Sequence, residues 1–245
     1  MNDSSNKYEI SISIVTHNQA ELVSGILSDL NCVKSNNFEV IITCNTKNDE
    51  LSTETYKYPI KVIRNSAPKG FGANHNAAAM ASEGIFFAVV NPDIRLSSFS
   101  FQALLSVFDD PLVGAAAPVV LSSDGNIEDS VRRFPTFKRL FIRTVLRRRI
   151  SDYTLKDQPI SVDWAAGMFL LFRTKIFREI GGFDDKKFFM YMEDVDICRR
   201  LHRLGFLVKV QPLALVVHNA QRASRRNFQH MCWHAVSAIR YFSGR

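Results

Sequence analysis

The stretch from Glu9 to Asn45 decides the fold: EISISIVTHN (9–18), QAELVSGILSDLN (19–31) and, after a short polar gap, FEVIITCN (38–45). The first and third read as strands with polar ends, and the second carries its apolar residues at helical spacing. Strand, helix and strand in that order specify a parallel sheet with helices on its faces. Further along, IKVIRN (60–65) is another strand and GFGANHNAAAMASEG (70–84) a glycine-rich turn entering an Ala-rich helix. IFFAVVNPDIRL (85–96) is a fully buried strand with an abrupt polar end. Ligands of such sheets sit beyond the carboxyl ends of the strands. The polar residues expected there are Thr16, His17 and Asn18, then Asn45, then Asn91 with Asp93.

The second half is less regular. PVVLSSDGNIEDSVRRFP (118–135) suggests a hairpin around Asp124 and Gly125, and FKRLFIRTVLRRRI (137–150) a helix with Arg139, Arg143 and Arg147 in one row. VDWAAGMFLLFR (162–173) reads as buried strand, TKIFREIGG (174–182) as a short helix stopped by glycine, and FLVKVQPLALVVHNA (206–220) as two strands ending at His218. The tail from Arg222 to Phe242 is expected to be helical. With 245 residues, 46% apolar and 22% charged, the chain is globular, and one continuous domain is expected. It has no apolar run of bilayer length. The polar start MNDSSNKYEI lacks a secretory pattern, so a cytoplasmic location is expected. Cys32, Cys44, Cys198 and Cys232 show no C-x-x-C spacing, which disfavours both a disulfide framework and a zinc site.

The chemistry-bearing residues cluster at element ends. In FFMYMEDVDICRR (188–200) a helix from about Met192 to Leu204 puts Asp194, Ile197, Cys198, Leu201 and Leu204 on one protein-facing stripe. Carboxylates in a first turn complement the helix dipole, which accounts for Glu193 and Asp196, the latter also one turn before Arg199 and Arg200. The inward Asp194 has no such explanation. Asp93 emerges at the carboxyl edge of a central strand, where a carboxylate can hold a divalent cation, although an aspartate after proline is also an ordinary turn residue. His218 ends another strand, and together they suit a hard cation such as Mg or Mn better than zinc. GFGANHN lacks the third glycine of a dinucleotide fingerprint, so Gly70 and Gly72 serve a tight turn, with Asn74 and Asn76 beside them.

A net charge of +7 asks for an acidic partner. The stretch VRRFPTFKRLFIRTVLRRRI (131–150), with Arg147, Arg148 and Arg149 at its end, pairs a cationic with an apolar face, as a segment lying on anionic membrane does; nucleic-acid binding and a merely solvated helix are its rivals.

SIVTHN, NPDI, VDWAAGMFLLFR, GGFDDKKFFMYMEDVDICRRL and VVHNAQRAS, in this order, resemble the inverting family 2 glycosyltransferases of GT-A fold, most of all bacterial rhamnosyltransferases of O-antigen and cell-wall glycans. The resemblance spans roughly residues 10 to 242. It implies an α/β, Rossmann-like, mostly parallel central sheet with helices on both faces, in a single domain with a C-terminal helical extension. About 10–120 would bind the nucleotide-sugar donor, about 121–220 the acceptor, with a basic helix at 137–149, and about 221–245 would lie near the membrane. Asp93 takes the place of the last aspartate of the D-x-D motif, His218 that of the later metal or diphosphate ligand, and Asp194 that of the catalytic base. Glu193, Trp164 and Gly167 would serve the acceptor. Thr16, His17, Asn18, Asn45, Gly70, Gly72, Asn76 and Asn91 would line the donor. The implied partners are dTDP-rhamnose, a polyprenyl-diphosphate-linked saccharide and an anionic membrane surface, with no nucleic acid. A UDP-hexose donor, or an inactive transferase-like chain, is the alternative. The chain departs from the pattern at Cys44, where an aspartate commonly reads the base, and at Asn91, the first position of D-x-D.

Overall fold

A computed structural model describes residues 6–33, 37–47, 49, 51, 53, 55–97, 99–136, 139, 151–219 and 228–243. Its core is a nine-stranded sheet. β1 (Tyr8–Thr16), β2 (Phe38–Cys44), β3 (Ile60–Arg64) and β4 (Gly84–Val90) are parallel and lie in the order β3-β2-β1-β4. β5 (Ile94–Arg95) follows at once but joins the far edge. β6 (Val113–Ser122) and β11 (Leu207–His218) form a second parallel pair. Between the two groups lies β10 (Phe169–Arg173), antiparallel to both β4 and β6. β8 (Ile160–Val162) flanks β11, while β7 (Val131–Arg132) and β9 (Trp164–Ala165) make a separate two-stranded ribbon.

Because β10 runs backwards, its amino end meets the carboxyl ends of β4, β6 and β11. One sheet edge thus gathers Thr16, Cys44, Val90, Ser122 and His218 with the turn before Phe169.

Alternation along each strand divides the core between two faces. On one, Ile10, Ile12 and Ile14 of β1 pack with Val23, Ile26, Leu27 and Leu30 of α1 (Ala20–Leu30) and with Phe101 and Leu104 of α3 (Phe101–Leu105). The other face of β1 is small and polar. Ser13 Oγ lies 2.8 Å from Nδ1 of the fully buried His75 on α2 (Phe71–Ala81), a ring that burial holds neutral with its pKa lowered to about 3. α4 (Thr174–Glu179), α5 (Glu193–Arg203) and Tyr241 of α6 (Phe228–Ser243) cover the rest of that face. The α/β sheet with helices on both faces is therefore as the sequence implies.

Several details differ from expectation. Leu204 is 62% exposed, because α5 stops at Arg203 and Gly205 turns the chain away at φ +83°. Where two strands were expected there is one, β11: Pro212 has no N–H for the ladder, and the register shifts between Gln211 and Leu215 instead of the strand ending. The hairpin expected around Asp124 and Gly125 is present but short: Ser122 N–H donates to Asn126 O and Glu128 N–H to Val120 O (both 2.8 Å) around the Leu121–Ile127 bridge, after which the chain leaves for the β7–β9 ribbon. Of the expected basic helix only Arg139 is described, its Nη1 3.3 Å from Asp152; Arg143, Arg147, Arg148 and Arg149 lie outside the described residues. Among the described residues no helix is long and apolar enough to cross a membrane.

Candidate active site

At the shared edge, Asp93 and His218 come together. Asn219 N–H donates to Asp93 O (2.8 Å), and β11 pairs with β5, so the end of β11 is fixed beside the turn leaving β4. Asp93 Oδ2 is 3.2 Å from His218 Nε2, and Glu128 Oε2 is 2.9 Å from Nδ1. The two carboxylates, Asp93 first, raise the His218 pKa to about 9. Asp93 Oδ1 is buried without a hydrogen-bond partner. With Nδ1 held by Glu128, the ring presents Nε2 beside Asp93, and a cation binding there would displace the proton that the two carboxylates favour. The orphaned oxygen and this mixed N/O pair fit a hard divalent cation. Among the described residues no group of three or more His, Cys, Asp or Glu forms a cage, so the remaining ligands would be substrate and water oxygens, as is usual for magnesium.

A second pair of acids stands where α5 begins. Asp194 Oδ2 accepts from Gly167 N–H (3.1 Å) and Oδ1 from Val195 N–H (2.8 Å). Gly167 is in the turn before β10, and the next residue, Met168, accepts from Asn91 N–H at 2.9 Å. The start of α5 is thereby tied to the end of β4. Glu193, only 6% exposed, carries an Oε2 with no partner. Burial raises both pKa values; the neighbouring Asp194 charge raises Glu193 further, to about 8, while the Gly167 and Val195 N–H groups hold Asp194 lower. The two acids titrate as a pair, and the two N–H groups on Asp194 favour its carboxylate over that of Glu193, whose Oε2 has none.

The backbone entering α5 is strained. Tyr191 and Met192 have φ of 71° and 70°, consecutive left-handed residues with side chains, each costing on the order of 1–3 kcal/mol. α6 holds them there. The Tyr191 ring stacks on His234 (centroids 3.9 Å apart), its hydroxyl lies 2.7 Å from His230 Nδ1, and Ser237 Oγ donates to Met190 O (2.8 Å).

The other expected residues take more varied places. His17 and Asn18 are exposed at the edge, the Asn18 Oδ1 accepting from the Thr46 hydroxyl (2.8 Å), and Asn91 is half-buried there. Thr16 is buried, its hydroxyl donating to Asp49. The Asn45 side chain bridges Lys69 and Asn65, pinning the turn before α2, and the Asn76 amide is engaged at both ends by the backbone of Phe183. Gly70 and Gly72 are glycines because the 183–189 segment crosses them: a Cβ on Gly70 would strike Phe189 O, and one on Gly72 would lie 2.8 Å from Phe183 Cβ. That close crossing corrects the reading of a tight turn alone. Trp164 is 9% exposed, with Nε1–H donating to Arg133 O and the Arg132 guanidinium 5.5 Å above its ring, so it does not present the open face expected for a sugar.

Two residues escaped the sequence. Glu128 orients His218 from the turn after β6. Asp49, 1% exposed, fills the gap between β1 and β2, its carboxylate accepting from the Thr16 and Thr46 hydroxyls and from Asn18 N–H at 2.8–2.9 Å. It restores to that edge the acid that Cys44 leaves out. The run of polar residues from Thr46 to Asp49 was the available signal.

A model of the family described as "Glycosyl transferase family 2" matches residues 11–181, well over half of the chain. The chain belongs to that family. Curated relatives of this glycosyltransferase include the N-acetylglucosaminyl-diphospho-decaprenol L-rhamnosyltransferase of Mycobacterium tuberculosis, 27% identical over 94% of this chain and 83% of the relative. Rhamnosyltransferase WbbL of Escherichia coli is 25% identical over 95% and 92%. Among solved structures, the glycosyltransferase superposes on GalNAc-T7 with UDP, GalNAc and Mn2+ at a TM-score of 0.66 and 14% identity, over 88% of this chain and 44% of that one. It superposes on the mannosyltransferase PcManGT of Pyrobaculum calidifontis with GDP-Man and Mn2+ at 0.64 and 17%, over 97% and 66%. These neighbours share the GT-A fold.

Proposed function

We propose that this glycosyltransferase moves L-rhamnose from dTDP-rhamnose to a sugar of a polyprenyl-diphosphate-linked glycan in cell-surface polysaccharide synthesis, inverting the anomeric carbon. The observation that carries the reading is Asp194, its carboxylate held by two backbone N–H groups and tied through Gly167 to the edge where Asp93 and His218 meet. The relatives from M. tuberculosis and E. coli supply the sugar, and the former the lipid diphosphate.

The two adjacent acids at the head of α5 divide the labour. Glu193, protonated, keeps a second negative charge away from the base, and Asp194 takes the proton of the acceptor hydroxyl as that oxygen bonds to the anomeric carbon. The bond from that carbon to the diphosphate breaks on the opposite face, and the nucleoside diphosphate leaves. Asp93 and His218 would hold Mg or Mn, which when bound neutralises the departing diphosphate as a Lewis acid. His17 and Asn18 stand where the nucleotide would lie. The Gly167 N–H fixes the orientation of Asp194, so the base is aimed before substrate arrives.

Peripheral attachment to the inner face of the cell membrane completes the reading. α6 leaves Met231, Val236 and Ile239 exposed, Ile239 by 68%, on a chain of net charge +7. Apolar side chains on a helix within a cationic protein suit an anionic bilayer.

The test is turnover of purified protein with dTDP-rhamnose, UDP-glucose and UDP-galactose, with and without Mg or Mn, on a lipid-diphosphate-linked N-acetylglucosamine. Cation-dependent transfer from dTDP-rhamnose is expected. Preference for a UDP-hexose would overturn the donor assignment, and no turnover of any donor would point to an inactive scaffold. Sedimentation with phosphatidylglycerol vesicles at low salt should carry the protein down; its absence from the pellet sinks the membrane assignment.

A further inference from the structure

A cavity of ≈ 620 Å³ lies on the outer side of α5, lined by Lys187, Arg199, Arg203, Phe134 and Tyr241 among others. We propose that it binds the diphosphate and first isoprene unit of the acceptor's lipid carrier, an inference resting on the lipid-linked acceptor proposed above. Three cations line it. Its one acid, Asp196, is engaged by Arg200 Nε at 2.7 Å, and among the described residues no carboxylate pairs with the side chains of Lys187, Arg199 or Arg203. Arginines in such a position offer a diphosphate several N–H groups in fixed geometry. Phe134 and Tyr241 form an apolar wall beside these charges, and the Arg199 guanidinium rests 5.3 Å above the Tyr241 ring. Free anions need no such wall, but a prenyl chain does.

The position is also suitable. Arg199 is five residues beyond Asp194 on one helix, about 7.5 Å along its axis and about 140° round it, so the sugar and phosphate of the acceptor would pass around the amino end of α5 from the base to the cavity. Two elements lead from the base to the cavity. The Arg132 charge is felt at Asp194, and two residues later the Phe134 ring reaches the cavity. α6 runs from His234, stacked on Tyr191, to Tyr241 in the cavity wall. The donor's diphosphate belongs at Asp93 and His218, on other elements, so this is a second anion site.

The experiment measures binding of farnesyl diphosphate, farnesol, inorganic diphosphate and dTDP to wild type, the Arg199→Gln/Arg203→Gln double variant, Lys187→Gln, and Arg199→Lys/Arg203→Lys. Farnesyl diphosphate should bind wild type more tightly than farnesol or inorganic diphosphate and compete with acceptor but not with dTDP. The glutamine double variant should lose tenfold or more of that affinity, and the lysine variant should recover part of it. Lys187→Gln, off the helix, gives the same reading if the double variant melts early. In turnover, the acceptor KM should rise tenfold with a diphosphate-linked acceptor, closing its advantage over the same sugar on a neutral alkyl chain, with the donor KM within twofold of wild type. Unchanged farnesyl diphosphate affinity in the variants, or displacement by dTDP, overturns the site. If wild type shows no preference for diphosphate-linked acceptors, the acceptor assignment itself fails; if it shows the preference and the variants keep it, only the cavity assignment does.

Discussion

Glu193 and Asp194 are neighbours in sequence with opposite duties, and substitution separates them. Asp194→Asn keeps the size and the Gly167 contact but removes the basicity, so kcat should fall by about 10²–10⁴ with donor binding intact, read by steady-state kinetics and dTDP titration. Since burial raises the Asp194 pKa, the acid limb of the kcat profile should sit above the ordinary aspartate range near 3.9. Glu193→Gln mimics the protonated acid and should retain transfer. It should also stabilise the fold: a carboxyl whose folded pKa lies above its unfolded value penalises folding as pH rises from about 4.3 towards about 8. The gain should be seen as a higher Tm at pH 7 that converges with wild type near pH 4. Asp49→Ala removes the acceptor of four donors at the β1–β2 edge and should raise the donor KM far more than it lowers kcat.

At the scale of elements, α6 matters through the strain it holds. Removing its grip with His234→Ala and Ser237→Ala should let Tyr191 and Met192 relax from positive φ and displace the start of α5. The expected result is a kcat at least tenfold lower, donor affinity unchanged and only a small fall in Tm. Gly72→Ala tests the crossing of the 183–189 segment over α2: with 2.8 Å to Phe183 Cβ the added methyl must push the segment away, costing on the order of 1–3 kcal/mol in denaturant unfolding. Elements were also what the sequence disclosed best. The alternation in β1, the helical spacing in α1 and the stripe from Asp194 to Leu201 are local periodicities, and periodicity survives without knowledge of neighbours. Contacts distant in sequence left no such mark. Nothing in Glu128 announces His218 ninety residues on, and Tyr191 and Met192 take left-handed backbone without the glycine that would advertise it. Pro212 left none either: the register shift that absorbs it depends on the pairing of β11 with β6.

For the molecule as a whole, the proposed site exists only where the two halves of the chain meet: Asp93 comes from the first half, Asp194 and His218 from the second. Chelation with EDTA should therefore abolish transfer while leaving the fold standing, since Asp93 and His218 remain bonded to each other without a cation. Far-UV circular dichroism and activity, followed together, check this.

The reversed strand β10 bears on how the chain is made. β4 and β6 are complete by Ser122, but the strand that separates them ends at Arg173, some fifty residues later. Until the ribosome releases it, β4 has one flank unzipped, and the apolar row of Phe87 and Val89 is a template for any strand nearby. A nascent chain stalled before residue 169 should therefore recruit chaperones or clump, and one stalled well past 173 should not. Ribosome-bound chains of graded length, probed by limited proteolysis, would show protection of β4 switching on late and abruptly.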